Sequence, residues 1–99
     1  METAKGHKRM MTVAFCEAMG TCLFLFGILN TNLCVTIPFS LLASVCIWGD
    51  VTGGHFNPAV TIGVFISLGD CGKNFMFMLM IIFGQIIGGL AAMGLFYLG

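Results

Sequence analysis

Few side chains in this sequence can do chemistry, and those few stand far apart. Glu17, His55, Asn57 and Gln85 lie in or between long apolar runs, and cysteines occur at 16, 22, 34, 46 and 71. An odd number of cysteines with no C-x-x-C indicates neither redox pairing nor a thiolate metal site, and they read as small buried hydrophobes. His55 is the one histidine inside the apolar part, and no further ligand stands at helical spacing from it. It therefore reads as a satisfied core histidine, with no metal and no cofactor expected. One Glu and one His leave no nucleophile with a base beside it, so an enzyme is not expected and no catalytic residue is assigned. What remains is hydrogen bonding, from an amide at Asn57 and a carboxylate at Glu17.

The element that must position Asn57 begins at Asn57 itself. In Gly53-Gly54-His55-Phe56-Asn57-Pro58-Ala59-Val60-Thr61, Asn57 is a good N-cap, and Pro58 fits the first helical position, where a missing N–H costs nothing. The two glycines let the preceding backbone bend closely against its surroundings. A helix over 58–68, closed by Gly69-Asp70, rises roughly 16 Å, about half of a roughly 30 Å hydrocarbon core. Flanked by full-length apolar runs, such a stub reads as a segment that dips into a bilayer and returns on the same side. Irregular backbone at that depth is tolerated only when buried in protein or lining a wet cavity.

Composition agrees with a membrane setting. The 99 residues are 59% hydrophobic and 8% charged, outside the range of soluble domains. Four basic and four acidic residues balance, so nothing points to nucleic acid. The chain reads as all-α and integral to a membrane, with a basic tail over 1–10 and helices over about 11–29, 33–48, 58–68 and 75–98. Asn30-Thr31-Asn32 reads as a polar turn, and Gly49 to Thr52 as the way back into the membrane. Met76, Met78 and Met80 read as lipid- or core-facing filler. Glu17 is costly at its depth and so marks a function or a buried partner. Gly84-x-x-x-Gly88, followed by Gly89, offers a small-residue face for close helix packing. Lys5, Lys8 and Arg9 before the first run, and Lys73 before the last, share one side if two spans separate them. That side is cytosolic or matrix by the positive-inside rule.

The stretch from Gly53 to Thr61 resembles the first Asn-Pro-Ala loop of the aquaporin, or major intrinsic protein, family, with His55, Gly53, Val60 and Thr61 in register. Glu17 followed by Gly20-Thr21 resembles that family's first helix, and Gly84-Gln85-x-x-Gly88 its third. Asp50-x-Thr52-Gly53 is nearer to the family's second loop. The resemblance runs from about Met11 to Leu98 and covers half of the family's fold. It implies three transmembrane helices plus one re-entrant half-helix, one repeat of an inverted pair. It also implies that Asn57, Pro58 and Ala59 form the pore motif, with Glu17, His55 and Gln85 supporting the loop.

In the complete fold two half-helices meet at the midplane and aim their positive ends at one point. A neutral hydrogen-bonding solute passes there, and a cation meets a barrier. This sequence holds one Asn-Pro-Ala and no arginine placed as the family's filter arginine. A filter aromatic of the family falls on Ile37 by ungapped counting, so selectivity does not follow. Three readings stay open: a half-channel for water or small neutral solutes completed by a second copy or another chain, a non-conducting structural subunit of a membrane complex, or a piece of a longer channel. Membrane lipid is a partner in each.

Overall fold

The computed structural model describes residues 7–30 and 34–99, with side chains from Arg9 onward. Lys5 and most of the turn expected at Asn30-Thr31-Asn32 lie outside the described residues. Regular structure among the described residues is helical: α1 His7–Leu29, α2 Thr36–Thr52, α3 Pro58–Leu68 and α4 Cys71–Leu98.

Four boundaries differ from those expected, the first being that α2 begins at Thr36 rather than about residue 33. Helix α1 begins at His7 rather than about residue 11, because His7-Lys8-Arg9 contains no breaker and continues the same helix. Helix α2 runs through Gly49-Asp50-Val51-Thr52 instead of stopping near 48. Gly49 keeps helical backbone, and its carbonyl accepts the N–H of Gly53 at 2.8 Å. The true stop is Gly53, left-handed at φ +89°, a conformation open to glycine without steric cost. Helix α4 starts at Cys71 rather than about residue 75, since Gly69 alone, left-handed at φ +74°, turns the chain.

At 1.5 Å per residue α1 is about 35 Å long and α4 about 42 Å. Both are long and apolar enough to cross a membrane, whereas α2 and α3 are shorter. Helices α1 and α4 run parallel, and at two points their backbones meet almost without side chains between them. A Cβ on Gly84 would collide with the backbone of Ala14, and one on Gly88 with the backbone of Ala18. The small-residue face of α4 thus meets a matching Ala-x-x-x-Ala on α1, while Gly89 retains room for a methyl beside Leu25. Val13, Phe77 and Ile81 fill the apolar core just below.

Helix α2 runs antiparallel to α1. Ser40 occupies the space beside Gly27, and Ser44 donates to the Gly20 carbonyl at 2.9 Å. Helix α3 packs on α4, with the Phe65 and Phe75 rings 6.3 Å apart. The four therefore stand in the order α2, α1, α4, α3, with α2 against α1 and α3 against α4 among the described residues. Glu17, Ser44, Thr61, Asn74 and Gln85 are buried while Phe15, Phe39, Ile66, Phe83 and Leu90 face outward. Polar inside and apolar outside is the arrangement that a hydrocarbon solvent stabilises. The same logic corrects the reading of the cysteines. Cys34, Cys46 and Cys71 are exposed, because an apolar run in such a protein need not face its core. The methionines divide likewise, with Met78 buried and Met76 exposed.

Candidate functional site

The site is built on the five residues between α2 and α3 together with the first turn of α3. Gly53 and Gly54 are both left-handed, at φ +89° and +71°, and the Thr52 hydroxyl accepts the Gly54 N–H at 2.9 Å. Phe56 follows at φ +52°, the one non-glycine with positive φ among the described residues. A bulky residue held there costs about 1–3 kcal/mol, which its surroundings must offset. Asn57 is extended, and its Oδ1 accepts the Ala59 N–H at 2.8 Å, capping α3 over Pro58. The cap leaves the Asn57 amide group at the positive end of the helix dipole, and Asn57, Pro58 and Ala59 are exposed.

Behind this tip lies a buried polar cluster drawn from α1, the loop, α3 and α4. Glu17 Oε1 accepts two hydrogen bonds, from the Phe56 N–H at 2.9 Å and from Gln85 Nε2 at 2.8 Å. Gln85 Nε2 also donates to Thr61 Oγ1 at 2.8 Å. Thr61 Oγ1 in turn lies 3.0 Å from His55 Nδ1 and 3.3 Å from the Asn57 carbonyl. Glu17 and Thr61 are fully buried and Gln85 nearly so. Glu17 Oε2 and Gln85 Oε1 are buried with no hydrogen-bond partner among the described residues, which leaves the cluster richer in acceptors than in donors.

Glu17, His55 and Gln85, expected to support the loop, lie together behind the tip. His55 does not bond Glu17 but reaches that cluster through Thr61, whose hydroxyl is its hydrogen-bond contact. Thr61 was not singled out as a site residue, although its place four residues after Asn57 puts its hydroxyl at the cap carbonyl. Phe56 was missed too, because nothing local distinguishes a left-handed Phe from an extended one. Arg9 lies apart from the tip and donates to the Val51 carbonyl at 3.4 Å. It lines a cavity of about 230 Å³ together with Asp50, Thr52, His55 and Phe77. Among the described residues no three His, Cys, Asp or Glu side chains are placed to hold a metal ion.

The chain enters and leaves this site at the same end of the bundle. Helix α2 finishes beside Arg9 in the first turns of α1, and the loop climbs to Glu17, the eleventh of the 23 residues of α1. Helix α3 then descends to where α4 begins, and Gln85, in the middle of α4, meets it at its upper turn. The model of the major intrinsic protein family matches residues 5–98, and the chain belongs to that family. Neither the curated proteins nor the solved structures contain a match. Membership, with α1 and α4 long enough to span, makes the chain an aquaporin-like integral membrane protein.

Proposed function

We propose that this chain is one half of a passive pore for water or small neutral solutes. Helices α1, α2 and α4 cross the membrane, and α3 is the re-entrant half-helix of a repeat spanning residues 11–99. Asn57 is its polar tip. The observation that carries this reading is the height of that tip: the groups holding it, Glu17 and Gln85, sit midway along the two longest helices. A helix N-terminus at mid-bilayer offers amide hydrogens and positive potential together, which suits a neutral solute and opposes a cation. Arg9 and Lys73, near the starts of the parallel α1 and α4, support a cytosolic or matrix side for that end.

One half encloses no pore, and Asn57, Val60, Ile62 and Ile66 are open on α3. A second half of inverted orientation would close that face, supplied by a second copy, another chain or a further part of the same polypeptide. Its apolar character also suits a second reading, a non-conducting subunit that packs this face against other proteins in a membrane complex. Liposomes carrying the protein with its second half test the choice. The pore reading expects osmotic water permeability above that of bare lipid, and cation conductance once Asn57→Asp places a negative charge at the tip. Lipid-level permeability, with a fixed set of larger membrane proteins co-purifying, would overturn it in favour of the structural subunit.

A further inference from the structure

We propose that Phe56 is the positioning residue of the α3 tip: its ring, seated against Gly20, and its N–H, held by Glu17, together clamp a left-handed backbone that turns the Asn57 amide to the open face. The inference rests on the reading of Asn57 as the polar group of the pore.

Three observations converge on Phe56. Its φ of +52° is one that glycine adopts freely and a large side chain resists. The same loop uses glycine at 53 and 54, where φ is also positive, so position 56 departs from its neighbours in carrying a side chain. The side chain is almost wholly buried, at 2% exposure. Its ring fills the space that a Cβ on Gly20 would need, and its other edge comes within 3.8 Å of where a Cβ on Gly54 would stand. The ring is thus held between α1 and the loop's own backbone.

The N–H of the same residue donates to Glu17 Oε1 at 2.9 Å. Glu17 and Gly20 are three residues apart on α1, so they lie on neighbouring positions of one helix face. One face of α1 therefore grips Phe56 at two points, through the ring and through the peptide, and two points fix an orientation that one would leave free to rotate. One residue later the backbone is extended at φ −160°. Asn57 Oδ1 is committed to the Ala59 N–H, which leaves the Nδ2 group for the open side. Without the ring, residue 56 can relax to negative φ, and Asn57 swings with it.

The test is NMR on the full chain in lipid nanodiscs, reading amide exchange at Ala59 and Thr61 and the side-chain amide resonances of Asn57. Gly20→Ala displaces the ring, and Phe56→Gly removes it while keeping the backbone permissive. Both are expected to speed Ala59 exchange at least about tenfold and to collapse the dispersion of the Asn57 side-chain protons, with Ile81 and Gly84 as protected as before. Ring removal acting only through general packing would instead loosen Ile81 and Gly84 and leave the Asn57 resonances in place. That result, or Ala59 exchange within about twofold of the original, overturns the proposal. Should Phe56→Gly fail to fold, Phe56→Leu decides: faster Ala59 exchange over an intact α1–α4 contact supports the clamp, and unchanged exchange sinks it. Permeability read on the same samples with the second half present keeps the two ideas separate. A clamped Asn57 with no permeability fails the pore and spares the clamp, while permeability with an Asn57 signature indifferent to Gly20→Ala does the reverse.

Discussion

Two of the joints that helix α1 makes, one with α4 and one with the loop, stand at nearly the same height and are made in opposite ways. Where it meets α4, at Ala14 with Gly84 and Ala18 with Gly88, nothing but backbone stands between the helices. Where it meets the loop, at Glu17 and Gly20 with Phe56, one carboxylate oxygen and one ring make the joint. The first joint depends on atoms that are missing and the second on atoms that are present. They are also linked, because Gln85 follows Gly84 directly. Only a seam this close brings the Gln85 amide to within 2.8 Å of both Glu17 and Thr61. Apolar packing in this molecule serves to set the reach of polar groups.

That contrast can be broken by substitution. Glu17→Ala should have the largest effect. It strands the Phe56 N–H and one of the two N–H groups of the Gln85 amide, whose other bond to Thr61 remains, at about 1–3 kcal/mol each. The expected result is a large fall in Tm in detergent, with the Phe56 amide exchanging fast. An unchanged Tm would mean that Glu17 does not anchor the loop. Gly88→Ala comes next, at about 1–3 kcal/mol, since the Ala18 backbone cannot move aside cheaply. Here the loss should spread along α1 and α4 alike, and a purely local exchange change would blur the distinction between the joints. Asn57→Ala removes a helix cap and should cost about 0.5–2 kcal/mol, with faster exchange confined to the first turn of α3. The smallest change has the opposite sign. Gly94 has open space where a Cβ would go, so Gly94→Ala should raise stability by roughly 0.5–1 kcal/mol through helix propensity. A loss there would reveal a contact on that face of α4.

Local chemistry made parts of this molecule legible. Asn57-Pro58 opens α3 and Gly69 closes it because caps and breakers act within one turn. Gly49 misled for the same reason: a glycine near a helix end is a stop only if it turns left-handed, and here Gly53 does so instead. Glu17 and Gln85 stood out as polar residues inside apolar runs, which are costly unless partnered. Thr61 did not, because a threonine on a helix is ordinary until something reaches its hydroxyl. Ser40 and Ser44, four apart on α2, and Gly20 and Gly27, seven apart on α1, carried a packing signal that becomes visible only when the two helices are set antiparallel.

What the sequence determined by itself is the solvent and the punctuation: an apolar excess that demands lipid, a short capped helix among long ones, and a family resemblance centred on the nine residues from Gly53 to Thr61 and continued around Glu17 and Gln85. The tertiary structure decided which atoms meet. It assigned both donors to a single oxygen of Glu17, gave His55 to Thr61, seated Phe56 on Gly20, and raised the tip of α3 to half the height of α1. The physical reason is range. Capping and hydropathy act within a few residues, whereas a hydrogen bond joining positions 17 and 85 exists only after two helices have closed to backbone contact.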